Sequence, residues 1–286
     1  MDDGIHANDT EGIKVMNKPI ISVIMSVKNG EFDLAKSIGS IQAQTLSDWE
    51  LIVCDDGSTD KTLDVLNNLA EADSRIIVLH NDKSQGSAQA RDVCIEIAKS
   101  NFLAIHDADD YSAPNRFELQ YDFMQKHPEY AIVGTGYYTV KSDGTIIGEC
   151  HPKTEPTAMD QIKGGEFMHP SFMMRKDMIA KVGFYTISPY TLRSQDYHMV
   201  MKVLGAGMKM YNMNECLYYY TADEGMMNRT RSWKRVKGLM WIRWDAYRRN
   251  HLPWWCYIYV LKPFVTNLIP KSIMFRYHKK TFKTHA

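Results

Sequence analysis

At 286 residues, with 44% hydrophobic and 24% charged side chains, the chain suits one large globular domain or a domain plus an appendage. The formal net charge of zero hides an asymmetry: Arg229 to Ala286 carries 14 Lys/Arg against a single acid, Asp245, while the first 228 residues carry 20 against 33. Five scattered cysteines without a CxxC pair argue against a zinc ribbon or disulfide framework and point to a reducing compartment.

Residues 1–18 are polar, lack the apolar core of a signal peptide and are expected to be a flexible lead-in. Ile20 to Val27 is then a near-continuous apolar run closed by Lys28-Asn29-Gly30, the pattern of a strand covered on both faces. Leu34 to Gln44 carries a helical stripe of Leu34, Ile38 and Ile41. Trp49 to Cys54 is a second buried strand that stops in Asp55-Asp56-Gly57-Ser58. A helix over Thr62–Ala70, a strand over Arg75–Leu79 and a helix over Ser87–Lys99 follow, and Phe102 to Ile105 is the fourth strand. Strands alternating with helices of this length give a βαβ series and an open parallel sheet, whose ligands bind beyond the carboxyl ends of the strands.

The fourth strand ends in His106-Asp107-Ala108-Asp109-Asp110, three carboxylates within four positions. Like charges gathered at the end of a buried strand repel one another and lose hydration. A hard divalent cation such as Mg²⁺ or Mn²⁺ removes that penalty. A bare Asp-X-Asp is otherwise an Asp-rich turn. Here Ser26, the Asp55/Asp56 pair and the Asp107/Asp109 pair all close strands of one sheet, so three polar endings converge on one edge.

Taken in order, Ser22 to Asn29, Ser40 to Thr45 and Glu50 to Asp60 resemble family 2 of the glycosyltransferases, and the likeness runs from about Pro19 to Tyr220. The resemblance implies a GT-A fold, α/β with a mixed, mainly parallel sheet, and inverting transfer from a nucleotide-diphosphate sugar, usually a UDP-sugar. It implies that Ser26, Asp55 and Asp56 serve the nucleoside, with Asp56 reading the base. A carboxylate there accepts the N–H of uracil, which cytosine lacks. Gly86 to Arg91 matches a Gly-rich lead into a helix that sets Arg91 near the nucleotide; alone, Arg91 reads as a surface helix residue. Asp109 is implied as a direct ligand of Mn²⁺ or Mg²⁺, and Asp107 faces the ribose or the metal, with Ala108 between them as a donor contact.

Tyr130 to Gly134 and Tyr137 to Val140 flank a change to mixed or antiparallel pairing, and Ser142-Asp143-Gly144-Thr145 is a hairpin signal. His169 before Pro170 reads either as a donor or acceptor contact or as a packed turn residue. Asp196, after Gln195, reads on its own as a helix cap. The resemblance makes it the general base, with Gln195 beside the acceptor where the family commonly has Glu. Residues 19–228 therefore read as one glycosyltransferase domain, with a nucleotide half (19–115) and an acceptor half (116–228). A loop at Ala222–Thr230 is placed to close over the donor.

Residues 229–286 hold five of the six tryptophans among basic residues. That composition suits an anionic membrane surface, or a helical appendage packing its indoles on the domain. The apolar stretch Leu252–Ile269, broken by Lys262 and Pro263, falls short of a membrane span. The expected partners are a UDP-sugar and a lipid-linked or surface-polysaccharide saccharide, with no nucleic acid, in the cytoplasm at the inner face of the cell membrane. The alternatives are a catalytically silent nucleotide-sugar-binding module with an interaction tail, and an aspartate-nucleophile phosphatase. Phosphatases of that type place Asp-X-Asp after their first strand, not their fourth.

Overall fold

The computed structural model describes residues 18–163, 166–191, 194–222 and 232–268. Most of the N-terminal lead-in, nearly all of the expected closing loop and the distal basic tail lie outside the described residues.

Four strands form an all-parallel half of a nine-stranded sheet: β1 (Ile21–Val27), β2 (Trp49–Asp55), β3 (Ile76–His80) and β4 (Phe102–Ile105). Their order is β3-β2-β1-β4, with Val27 opposite Asp55 and Ile24 opposite Ile105. The register aligns their carboxyl ends, which sets Ser26, Asp55 and the Asp107 turn along one edge. Alternation within β1 explains its near-continuous apolar run. Ile21, Val23, Met25 and Val27 enter one core cluster, and Ile24 enters the cluster on the other face.

The crossover helices are α1 (Leu34–Gln42), α2 (Thr62–Ala72) and α3 (Ser87–Ile97). Leu34, Ile38 and Ile41 of α1 are fully buried, each contributing about 2 kcal/mol of hydrophobic stabilisation. Asp60 starts α2 by accepting the Thr62 N–H at 3.1 Å, which satisfies one of the free donors at the helix end.

Beyond β4 the pairing turns mixed, as the sequence predicts. A short β5 (Tyr111–Ser112) leads to α4 (Arg116–Lys126), followed by the long β6 (Tyr130–Val140) and β7 (Ile146–Cys150). The β6–β7 hairpin closes through Lys141 and Thr145, as Asp143-Gly144 implies. After α5 (Ala158–Lys163), β8 (Met173–Arg175) runs antiparallel to β4, and α6 (Lys176–Ala180) follows it. Then come α7 (Gln195–Gly205) and β9 (Lys209–Thr221), which pairs with β6 in parallel. The C-terminal part is helical: α8 (Trp233–Arg249), a 3₁₀ segment Trp254–Leu261 and α9 (Lys262–Leu268). No helix among the described residues is long and apolar enough to cross a membrane.

Part of the C-terminal segment belongs to the core. Ala246, Tyr247 and Cys256 are fully buried in a third cluster with Ile162 of α5 and Met201 of α7. Of the five C-terminal tryptophans only Trp241 is stacked inward, on Tyr190 at 5.5 Å between ring centres. Trp233, Trp244, Trp254 and Trp255 are exposed.

Candidate active site

The carboxylates after β4 occupy one turn, and the ligand oxygens of Asp107, Asp109 and Asp110 lie within 4.8 Å of one another. A buried polar scaffold braces that turn. Arg116, fully buried at the start of α4, donates to the Ile105 and Phe172 carbonyls at 2.9 and 3.4 Å. The Asp107 N–H donates to the Tyr218 hydroxyl at 3.2 Å. Burial, aided by the charge of Arg116, pushes His106 down to about 3. The ring is therefore neutral, and its Nδ1–H donates to the Asp107 carbonyl at 2.9 Å.

The acids themselves are not at ease. Burial and the charges of Asp107 and Asp109 push Asp110 up to about 8. Asp109 is raised in the same sense, by the protein around it and then by Asp107, although its side chain reaches solvent at the rim. Three oxygen donors whose ionised forms repel one another fit a hard divalent cation, so the residues present suit Mn²⁺ or Mg²⁺.

Asp107, Ala108 and Asp109 form one wall of a cleft of about 290 Å³. Ser26 and the Lys28-Asn29-Gly30 loop form another, and α3 contributes Ser87 and Arg91. Arg91 is only 7% exposed and pairs with Asp107 at 2.5 Å at the cleft wall, so it is not a surface helix residue. Its buried Nε–H has no partner among the described residues.

Asp196 stands in the first turn of α7. Ser194, just before it, has a left-handed backbone (φ 88°), a conformation costly for a non-glycine residue and typical of positions held by their surroundings. Gln195 donates to the Ser87 hydroxyl at 3.0 Å, which ties the start of α7 to the cleft wall. Burial raises the Asp196 carboxyl; the charge of Asp107 raises it further and that of Arg91 opposes. Arg91 thus feels both carboxylates.

Helix α8 props this arrangement from behind. His198 lies two residues past Asp196, and its Nε2 is 3.0 Å from Asp245 of α8. Gly238 lets α8 approach closely, because a Cβ there would stand 2.5 Å from the Tyr190 carbonyl oxygen. The C-terminal helix therefore holds the segment that carries Asp196.

Gln195 and Asp196 do not line the cleft, and neither do Asp55, Asp56 and His169. Asp55 is fully buried, accepts from the Ser58 hydroxyl and lies 2.9 Å from His80 Nδ1. Asp56 receives four donors from the next loop: Asn81 and Gln85 on one oxygen at 3.0 and 2.7 Å, Ser84 and Gly86 on the other at 2.7 and 2.8 Å. Burial works against its ionisation, the four donors outweigh it, and the carboxyl is held below its usual range. A base N–H must therefore displace one of these donors to reach Asp56. His169 is packed against Phe172 and Tyr185, with Nε2 2.7 Å from the Tyr185 hydroxyl, which matches the turn-residue alternative.

Sequence reasoning missed Asp33 and Ser87, which line the cleft at the starts of α1 and α3. Their position at helix starts beyond the strand ends was the available signal.

A parallel sheet with carboxylates at its edge, joined to a mixed half whose first-turn carboxylate feels the same arginine, is the GT-A arrangement of a glycosyltransferase. The chain belongs to glycosyl transferase family 2, whose family model matches residues 22–183. It is 35% identical to the putative glycosyltransferase EpsE of Bacillus subtilis (strain 168) over 264 residues, 92% of this chain and 94% of that one. It is 28% identical to the Escherichia coli protein WfaP over 209 residues, 73% of this chain and 80% of the relative. That relative is named UDP-Glc:alpha-D-GlcNAc-diphosphoundecaprenol beta-1,3-glucosyltransferase. Among solved structures it resembles S. aureus TarS 1–349 in complex with UDP-GlcNAc, with a TM-score of 0.64 at 19% identity, covering 79% of this chain and 66% of that one. The protein is a glycosyltransferase of a family that includes enzymes of polysaccharide biosynthesis.

Proposed function

We propose that the protein transfers a hexose or N-acetylhexosamine from a UDP-sugar to a hydroxyl of a lipid-linked or surface-polysaccharide acceptor, with inversion. The observation that carries this reading is the shared setting of Arg91, Asp107 and Asp109 in one cleft, with Asp196 within electrostatic reach of the first two. The UDP-GlcNAc held by TarS and the acceptor in the name of WfaP support the donor and acceptor classes.

Asp107 and Asp109 would hold Mn²⁺ or Mg²⁺, which supplies positive charge where the leaving diphosphate gains negative charge. Arg91 adds a second, buried cation with a free N–H. Asp196 accepts the proton of the acceptor hydroxyl as its oxygen bonds to the anomeric carbon. The bond from that carbon to the diphosphate breaks on the opposite face, and UDP leaves with the electron pair. No covalent sugar intermediate is required. Incubation with a panel of UDP-sugars and Mn²⁺, without acceptor, is expected to show slow hydrolysis of one preferred donor. Absence of any UDP binding by calorimetry in Mn²⁺ would refute the assignment.

We further propose that the protein acts at the cytoplasmic face of the membrane, held through its C-terminal segment. Trp254, Ile258 and Leu261 of the 3₁₀ segment and Val265 and Leu268 of α9 are all exposed, Trp254 by 85%. Exposed Lys234, Lys237, Arg248, Arg249 and Lys262 belong to the same segment. Such an exposed apolar group with basic neighbours suits the headgroup region of an anionic bilayer. Truncation is a poor test, because α8 contributes Tyr247 and Ala246 to the core. The triple substitution Trp254→Ser, Ile258→Ser, Val265→Ser should abolish co-sedimentation with anionic vesicles and leave the melting temperature unchanged. Undiminished sedimentation would exclude this face.

A further inference from the structure

Away from the cleft, a second group of metal-ligating side chains comes together among the described residues: Glu149, His151 and Cys216. Glu149 lies on β7, His151 just after it, and Cys216 on β9. These strands flank β6 on opposite edges, so the intervening strand would ordinarily keep their side chains apart. Gly136 of β6 removes that barrier. A Cβ at this position would stand 2.9 Å from the Cys216 sulfur and 3.2 Å from the Cys150 carbonyl oxygen. The ladder is irregular at the same level: Thr135 pairs with Met213, but the next residue, Gly136, pairs with Cys216. The extra length in β9 is a bulge, a device that re-aims side chains.

The hydrogen bonds of His151 orient its Nε2 toward Glu149. Its Nδ1 is 2.8 Å from the Asn214 carbonyl oxygen, which can only accept, so Nδ1 carries a proton. In the neutral ring the Nε2 lone pair then faces Glu149 Oε1 at 2.8 Å. Two acceptors at that distance need either a proton, carried by the ring or by the carboxyl, or a metal ion between them. An imidazole whose far N–H is tied to a backbone carbonyl is oriented as metal-ligating histidines are. Cys216 Sγ stands 3.7 Å from the same Glu149 oxygen. Sulfur, imidazole nitrogen and carboxylate oxygen together suit zinc-class ions, in contrast to the all-oxygen set of the cleft.

We propose that Glu149, His151 and Cys216 form a second metal site, taking a zinc-class divalent ion and fastening β7 to β9 across Gly136. Glu149 and His151 are 50% and 43% exposed, which leaves room for water to complete the coordination. The competing account is an imidazolium paired with Glu149, with no metal.

Full-length protein stripped with a chelator and titrated with Co²⁺ is expected to develop the near-ultraviolet absorption of a thiolate–cobalt bond, which Zn²⁺ then displaces. Cys216→Ser should abolish that band, and His151→Ala should weaken Zn²⁺ binding by at least about 10-fold. Independently of any variant, Zn²⁺ but not Mg²⁺ should protect Cys216 of the wild-type protein from alkylation, with the site read by peptide mass spectrometry. No thiolate band, or alkylation of Cys216 at equal rates with and without Zn²⁺, overturns the proposal and leaves the imidazolium pair as the full account.

Discussion

Asp196→Asn is expected to lower transfer by about 10²- to 10⁴-fold, the range lost with a general base. UDP affinity should stay near that of the wild type. The amide matches the carboxylate in shape but cannot accept the acceptor's proton. Stability should not fall either, because burial already disfavours the charged form of Asp196, and the substitution removes that charge. A pH profile gives a second reading. Asp196 must be ionised to act as base, and its carboxyl is raised above the ordinary range. Wild-type transfer should therefore climb with pH through a value higher than that of a free carboxylate. Transfer kinetics across pH, alongside calorimetry with UDP and Mn²⁺, check both claims. An unchanged rate for Asp196→Asn would remove this residue from the chemistry.

The parts of the fold that were legible in the sequence share a physical cause. Strands β1, β2 and β4 are buried on both faces, so their apolar runs are nearly continuous, and their polar endings stand out against them. The hairpin at Asp143-Gly144 is set by local backbone requirements, which a few residues carry. The bracing of the site is another matter. Tyr218 meets Asp107 across 111 positions, and nothing local to either residue announces the pairing. Asp55 and Asp56 were visible as a strand ending, but their ties to Ser58, His80 and the Asn81–Gly86 loop depend on how neighbouring segments fold back. Composition also blurred the C-terminal segment. Aromatic and basic content is the same whether a helix lies on a bilayer or on its own domain. The structure divides the segment: Tyr247 is fully buried, Trp241 is half-buried against Tyr190, and Trp254 faces out. Absence of CxxC spacing likewise said nothing about Cys216, whose neighbours Glu149 and His151 come from the far side of β6.

Asp107 and Asp109 look equivalent in the sequence, yet the structure predicts opposite consequences for stability when each becomes Asn. Asp107 is the ion-pair partner of Arg91, a guanidinium that is almost wholly buried. Its loss strands that charge, a defect that costs about 3 kcal/mol. Asp109 has no ion-pair partner among the described residues: the protein around it and the nearby acids Asp107 and Asp33 disfavour its charge, with Arg91 only partly offsetting them. Asp109→Asn should therefore leave metal-free protein as stable as the wild type or slightly more so. Both variants should lose transfer, Asp109→Asn by about 10²- to 10³-fold, because the charge that balances the leaving diphosphate is no longer held. Urea melts in chelator separate the two effects. Added Mn²⁺ should raise the wild-type midpoint, because a bound cation relieves the crowded carboxylates, and should raise that of Asp109→Asn far less. If Asp109→Asn is instead destabilised as much as Asp107→Asn, the turn is a structural network of acids, and the metal must be sought elsewhere.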